Sequence, residues 1–505
     1  MRYLMGIDEG TTGCKACLFD ENGLLVNSAS REYPSYYPKP GWVEQDIEQI
    51  KECVFASCKE AIEKSCVNPN DIIGISHSNQ GITMVLLDEN EQPVREKTIG
   101  WQDLRYVDIL PELQAKVNEN EYWEISGMMY GTYNIPVLNW IQENEPKVWA
   151  KVKHICSHQD YFLRQYGADG YFIDEGCANF MSMARMEDNE WDERLMKAYN
   201  VDSSMLPIII HEPGKVVGYV TEEASQKTGL PIGCSVCLGG LDTNCCSMGA
   251  GAKDAGTQVL IMGTAGVSIL ITDKSKMDPN KRITVRSNPG FGNWQSYIMT
   301  NTGASSFRWF RDELCSMEVA TGKLMGVDPY DIITSIAHNS SPGANGVTAL
   351  TCFQGSHTRK KNEKARGTFF GINLGTTKAD IAEAILEGIC FEMKDILNMN
   401  EELSGEVKNI RLCGGVAKSP LWCQMFADIL QRPVELTEVS ELGSLGAAMC
   451  AGIGSGIFKD CVNAIDKCVH VSKIYTPDEI NEKIYAESYD RWNKFYAIAN
   501  NDIYI

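Results

Sequence analysis

The opening stretch of the chain alternates short apolar runs with polar turns: Tyr3-Leu4-Met5-Gly6-Ile7, then Asp8-Glu9-Gly10-Thr11-Thr12, then Ala16-Cys17-Leu18-Phe19. Runs of this length bounded by Gly, Asp and Thr predict strands at 2–8, 14–20 and 24–32. A helical period follows over about 46–66. Strands are predicted at 72–76 and 84–87, with polar Asn79-Gln80-Gly81 between them. From about 104 to 165 the pattern is mostly helical, with a break at Ser126-Gly127. A second start appears near the middle. Cys234 to Gly240 reads as a glycine-ended strand that delivers Asp242, and Gln258 to Met262 leads through Gly263-Thr264-Ala265-Gly266 into Val267 to Ile271. Further on, Lys408 to Cys413 reads as a strand, Gly414-Gly415 as a turn and Ser419 to Gln431 as a helix. Glu441 to Ile453 reads as a helix whose Gly443, Gly446, Ala447, Ala448 and Ala451 allow a very close neighbour.

The two strand–turn–strand units expose backbone N–H groups, threonine hydroxyls and, in the first, the Asp8 carboxylate. Such a tip suits a polyphosphate: donors meet its oxygens and the carboxylate holds a metal or its waters. Lys15 adds a cation at the same end of the first unit. An Asp-x-Gly-Thr turn also occurs in ordinary hairpins, so the turn by itself leaves both readings open. Two α/β halves that each open this way predict a duplicated, ribonuclease H-like (actin-like ATPase) core with a central cleft. The expected halves are 1–247, which carries the phosphate/metal turn with Asp8, and 248–505.

Composition narrows the class. At 505 residues the chain suits two domains, each able to bury its own core. Forty-six basic against 67 acidic residues give a net charge of −21, which disfavours nucleic acid or an anionic membrane as partner. No continuous apolar run is long enough to span a bilayer, and the N-terminus lacks a signal-peptide layout, so a cytoplasmic protein is expected. The 19 cysteines are irregularly spaced and read as reduced, mostly buried thiols. Cys234-x-x-Cys237 has no second pair or His near it to complete a metal site.

Four separated elements support one another: the turn at 8–12, the acid at 242, the turn at 263–266 and the Gly-Gly at 414–415. With Gly367-Thr368-Phe369-Phe370-Gly371-Ile372, followed after a short gap by Asp380 to Glu387, the chain resembles the FGGY family of carbohydrate kinases from about residue 3 to about 455. Gly240-Leu241-Asp242 resembles the segment that bears the family's catalytic aspartate. Gly414 to Trp422, leading through a helix to Arg432-Pro433, resembles its adenosine motif.

The resemblance implies transfer of the γ-phosphoryl group of ATP to a hydroxyl of a small sugar or polyol, with Mg²⁺. It implies Asp242 as general base, and Asp8 with Asp242 on the metal. Thr11, Thr12, Lys15, Gly263, Thr264, Gly303, Gly414, Gly415 and Ser419 are implied on the nucleotide, and Asn79, Gln80, Gly81, Trp101, Asp103, Tyr133 and Asp242 on the acceptor. By position alone Asp242 suits a helix N-cap equally well, Gly414-Gly415 a plain turn, and Trp101 a packed strand end. His77 is expected as a core histidine, and Phe369 and Phe370 as core.

Asn79-Gln80-Gly81-Ile82, Trp101-Gln102-Asp103 and Tyr133 resemble glycerol kinase stretches, but glycerol kinases carry Arg and Glu where this chain has Gly81 and Ile82. The change disfavours glycerol and is expected to open room for a longer acceptor, so a ketopentose such as xylulose is expected. Arg308 to Asp312 and Tyr475 to Asp478 resemble kinases of a furanone-derived autoinducer, which with gluconate and erythritol remain alternatives. A sugar sensor without catalysis, or an actin-like filament or chaperone ATPase, would keep the nucleotide turns; neither a filament nor a chaperone needs the polar cluster at 79–103, 133 and 242. A homodimer is the assembly left open.

Overall fold

The computed structural model describes residues 1–130, 134–356, 358–359 and 361–503. Tyr133, expected on the acceptor, lies outside them. The chain forms two compact units. The first comprises Met1–Lys253, Val285–Trp294 and Glu441–His470; the second comprises Asp254–Thr284, Gln295–Ser440 and Val471–Ile505. The expected boundary near 247 falls just ahead of the first crossing, and two later segments return to the first unit.

The sheet of the first unit is built from β1 (Tyr3–Glu9), β2 (Gly13–Asp20), β3 (Leu25–Glu32), β4 (Ile72–Asn79), β5 (Val216–Tyr219) and β6 (Ser235–Leu241), in the order β5-β6-β4-β1-β2-β3. β1, β4 and β6 run parallel, while β2, β3 and β5 pair antiparallel with their neighbours. The hairpin of β1 and β2 follows from the alternation described above, because Met5, Ile7, Ala16 and Leu18 all enter one core. α1 (Ile47–Ser65) covers that face; Asp46 caps it by accepting from the Glu48 and Gln49 N–H groups.

The second unit repeats the order. β7 (Thr257–Met262), β8 (Gly266–Thr272), β9 (Asn293–Thr300), β10 (Asn409–Gly414), β11 (Val434–Thr437) and β12 (Val471–Tyr475) pair as β9-β8-β7-β10-β11-β12, and a further strand, Thr284–Asn288, pairs with β9 at the edge of the same sheet. β7, β10 and β11 are parallel, with β8 and β12 antiparallel to their partners. Antiparallel hairpin, parallel crossover, second parallel strand and antiparallel edge thus occur twice, as the paired sequence starts predict.

Two helices place the site. α2 (Asp242–Gly249) leaves the end of β6, and α3 (Leu442–Gly454) returns to the first unit to lie on β1 and α2. Small residues make that approach possible. A Cβ on Gly6 would stand 1.9 Å from the Ser444 carbonyl oxygen, one on Gly446 2.0 Å from that of Cys245, and one on Gly249 2.1 Å from that of Leu442.

The 19 cysteines are free thiols. His77 is buried, stacked on Phe162 at 4.4 Å between ring centroids, with Nδ1 3.1 Å from the Tyr166 hydroxyl, which agrees with a core role. Phe369 and Phe370 are only half-buried. They sit on a short strand (Thr368–Phe370) at the margin of the core, where Phe370 stacks on Phe495. Among the described residues no helix is long and apolar enough to cross a membrane.

Candidate active site

Parallel strands bring their carboxyl ends to one edge, and the register Glu9–Asn79–Leu241 aligns those of β1, β4 and β6. Asp8, Ser78 and Asp242 therefore converge at the edge where ligands bind in open α/β sheets. Ser78 Oγ donates to Asp8 Oδ1 at 3.1 Å. Burial pushes the Asp8 carboxyl up to about 6; Glu9 and Glu441 add to the rise, while Ser78 and Lys15 oppose it. The first turn of α3 lies against the same carboxylate, since a Cβ on Gly443 would fall 2.6 Å from Asp8 Oδ2. A helix N-terminus faces negative charge favourably.

Asp242 opens α2, and its Oδ1 accepts from the Thr243 N–H at 2.6 Å. Its carboxyl is pushed up to about 7, chiefly by burial and next by the Asp8 charge; the Thr243 hydrogen bond and Arg286 act against this. Two carboxyls held above their ordinary range by burial, with the Asp8 charge adding to the rise at Asp242, suit a site for a cation or proton. Among the described residues no three His, Cys, Asp or Glu side chains form a metal cluster. Mg²⁺ needs none, since one or two carboxylates, water and substrate phosphates suffice.

The hairpin tip is ordered from outside. Gly10 N–H donates to the Gly13 carbonyl at 3.0 Å. Trp101 Nε1 donates to Thr11 Oγ1 at 2.8 Å, and Gln45 Nε2 to the Thr11 carbonyl at 2.7 Å. Thr12 is exposed. Lys15, paired with Asp8 across the hairpin, has Nζ 2.7 Å from Glu441 Oε2. Glu9 is buried and accepts from Gln80 Nε2 at 2.7 Å and the Tyr33 hydroxyl at 3.1 Å, with His158 Nδ1 at 3.1 Å.

Several residues expected on the acceptor have partners within the protein. Asp103 is buried, accepting from the Val43 N–H at 2.6 Å and from Arg105 Nη2 at 2.8 Å, and Arg105 lies 3.9 Å over Trp42. Both partners of this ion pair are buried. Asn79 is likewise buried, its amide donating to the Gln80 carbonyl at 2.8 Å, and Gln80 is tied to Glu9 and Gln45. The room expected at Gly81 is taken up, because a Cβ there would meet Leu241 Cδ1 at 2.7 Å and Phe180 Cδ1 at 3.6 Å. Ile82 has φ +74°, a strained value for a β-branched residue.

In the second unit the β7–β8 turn is crossed by Gly303 N–H to Thr264 carbonyl at 2.8 Å and Ala304 N–H to Gly263 carbonyl at 2.9 Å. A Cβ on Gly303 would collide with Ala265 at 2.6 Å. Gly414 has φ +91° and abuts the Met262 carbonyl, whereas a Cβ on Gly415 would meet open space. Ser419 accepts from the Trp422 N–H and caps Pro420–Leu430. Gly415, Lys418, Ser419, Trp422, Phe307 and Tyr330 help line a cavity of about 460 Å³. Gly263, Thr264, Gly303, Gly414, Gly415 and Ser419 are thus arrayed along the carboxyl ends of β7 and β10.

Sequence reasoning missed Ser78, Glu441 and Arg286. The polar run Ser76-His77-Ser78-Asn79 at a strand end signalled Ser78, and Glu441 stands just before the small-residue helix. Arg286 had no motif around it.

Residues 3–249 match the model for the FGGY family of carbohydrate kinases, N-terminal domain, and residues 259–455 match that for its C-terminal domain. A gluconokinase of Bacillus subtilis (strain 168) is 28% identical over 486 residues, covering 96% of this chain and 93% of that protein. A xylulose kinase of Staphylococcus epidermidis (strain ATCC 35984) is 27% identical over 498 residues, covering 98% and 96%. The crystal structure of ligand-bound xylulose kinase from Lactobacillus acidophilus superposes with a TM-score of 0.88 at 23% identity over 99% of both chains.

Proposed function

We propose, from the premise that this chain belongs to the FGGY family of carbohydrate kinases and is an ATP-dependent phosphotransferase, that it phosphorylates a ketopentose such as xylulose, with Asp242 as general base and Asp8 as holder of Mg²⁺. The convergence of Asp8 and Asp242 at the carboxyl ends of parallel strands carries this reading.

Phosphoryl transfer to an alcohol needs in-line placement, cations on the phosphate charge and a base for the hydroxyl proton. Asp242, with an affinity raised to about 7, takes that proton near neutral pH. Asp8 would hold the cation directly or through water, and Mg²⁺ would supply charge neutralisation on the phosphates. Thr11, Thr12 and Lys15 offer donors at the phosphate hairpin. In the second unit Thr264 offers its hydroxyl, Gly263 and Gly303 shape the turn with their N–H groups bonded inside it, and the cavity beside Gly415 and Ser419 suits the nucleoside. Closing water out limits ATP hydrolysis.

Asp8→Asn should raise the KM for Mg·ATP by roughly 10–100-fold and leave the KM for sugar nearly unchanged; steady-state kinetics with each substrate varied in turn checks this, and the reverse pattern contradicts the assignment.

For the acceptor, support comes from the similarity to a xylulose kinase and from Gly81 and Ile82, which stand where glycerol kinases carry a charged pair. A triol that loses two charge-assisted hydrogen bonds, about 1.5–3 kcal/mol each, should bind weaker by roughly two to four powers of ten. A panel of D-xylulose, L-xylulose, L-ribulose, glycerol, erythritol, gluconate and the furanone-derived autoinducer tests this. Xylulose is expected to give the highest kcat/KM and glycerol the lowest. Glycerol equal to every five-carbon substrate would sink the reading, and gluconate on top would move it to aldonates.

A further inference from the structure

Arg286 lies in the segment that returns to the first unit, on a strand spanning Thr284–Asn288, and is fully buried. A guanidinium taken out of water is costly unless it is bonded and put to use. Its Nη2 donates to Thr243 Oγ1 at 2.9 Å, and its Cζ lies 4.9 Å over the ring of Phe180. Thr243 follows Asp242 on the first turn of α2, and that turn has no side-chain cap from the residue before it. Its backbone N–H is instead held by the Asp242 carboxylate. Phe180, on which the guanidinium rests, also faces Gly81 beside Leu241.

These contacts form a chain. The guanidinium fixes the Thr243 hydroxyl, the Thr243 backbone fixes the Asp242 carboxylate, and Phe180 fixes the plane of the guanidinium.

We propose that Arg286 is a positioning residue for Asp242, acting through Thr243, so that the segment inserted from outside the first unit's main run of chain sets the aim of the catalytic carboxylate. The inference rests on Asp242 being the base. A charge-assisted bond to a hydroxyl is directional, and a misplacement of about 1 Å in an attack geometry costs roughly 100-fold in rate. Lysine keeps the charge but loses the planar fork and the stacking, so it is not an equivalent replacement.

The test is a cycle of Arg286→Met and Thr243→Val, alone and together, with kcat and both KM values measured on the best sugar and melting followed for each variant. Each single change should lower kcat by roughly 10–100-fold with both KM values within about threefold, and the double variant should be no slower than Arg286→Met alone, because the two act as one unit. Thr243→Ser, which keeps the hydroxyl, should recover most of the kcat lost in Thr243→Val. Losses that multiply in the double variant, or a loss confined to the KM for sugar, would overturn the inference.

Arg286→Met in an Asp242→Asn background separates the two readings. No further loss there supports positioning through Asp242. A further loss of the same size removes the positioning role while leaving the base intact, and a fully active Asp242→Asn enzyme removes the base and the inference with it. If Arg286→Met does not fold, Thr243→Val against Thr243→Ser carries the test: equal kcat in the two overturns the proposal.

Discussion

Asp242→Asn should lose sugar-dependent turnover by roughly 10²–10⁴-fold, the usual contribution of a positioned general base, while the fold and ATP affinity are retained. The amide keeps the shape, and its Oδ1 can still accept from the Thr243 N–H. The wild-type enzyme should show the same dependence in its pH profile. Asp242 is a base only when ionised, so with its affinity at about 7 the kcat/KM should fall tenfold per pH unit on the acid side of neutrality. Stability should move in the opposite sense. The folded protein holds this proton up to about pH 7, whereas the unfolded chain releases it near the ordinary value of 3.8. Stability from this group is therefore present at low pH and lost as pH rises through that window. Asp242→Asn should accordingly melt higher than wild type at pH 8, with the advantage vanishing below about pH 4. Near-native turnover in this variant would remove Asp242 from the mechanism, and a lower melting point at pH 8 would contradict the burial argument.

Gly6→Val should be strongly damaging to the first unit. A Cβ there would stand 1.9 Å from the Ser444 carbonyl oxygen and 2.9 Å from the Ala448 nitrogen, both backbone atoms that cannot swing aside. Overpacking commonly costs about 1–3 kcal/mol, and with rigid backbone on the far side the cost should reach or pass the upper figure. At about 2–4 °C per kcal/mol for a unit of this size, melting should fall by roughly 6–12 °C or more. Gly415→Ala offers the contrast. Nothing lies within 4 Å of its Cβ position, so its melting temperature should stay close to wild type even where nucleotide binding changes. Calorimetry on the pair checks the claim; equal melting temperatures would show that α3 can retreat from β1.

The parts legible in sequence are those set by neighbours in the chain. The hairpins at 8–12 and 263–266 are announced by apolar runs that change to Asp, Gly and Thr. Gly443, Gly446 and Ala447 announced a helix made for close approach, although not that β1 would be the partner. The carboxylate at 242 was legible through the strand that delivers it. What sequence could not display depends on contacts distant along the chain. Arg286 stands in no motif and matters because its segment folds back beside Thr243. Gly81 reads as open space until Leu241 and Phe180 are placed next to it. The hold on Asp103 is unreadable until Val43, whose N–H meets its carboxylate, and Trp42, on which Arg105 lies, are placed beside it.

The return of Glu441–His470 to the first unit has a consequence for how the protein is made. When Lys253 has left the ribosome the six strands of the first sheet are all available, but β1 still lacks α3. The face of Gly6, with no side chain of its own to cover it, must wait for residues up to 470. At about 5–20 residues per second the wait is roughly 10–40 s. During synthesis the strip of β1 at Gly6 and the edge at Asp8 therefore cannot be covered by α3 until a segment made about 200 residues after Lys253 has emerged.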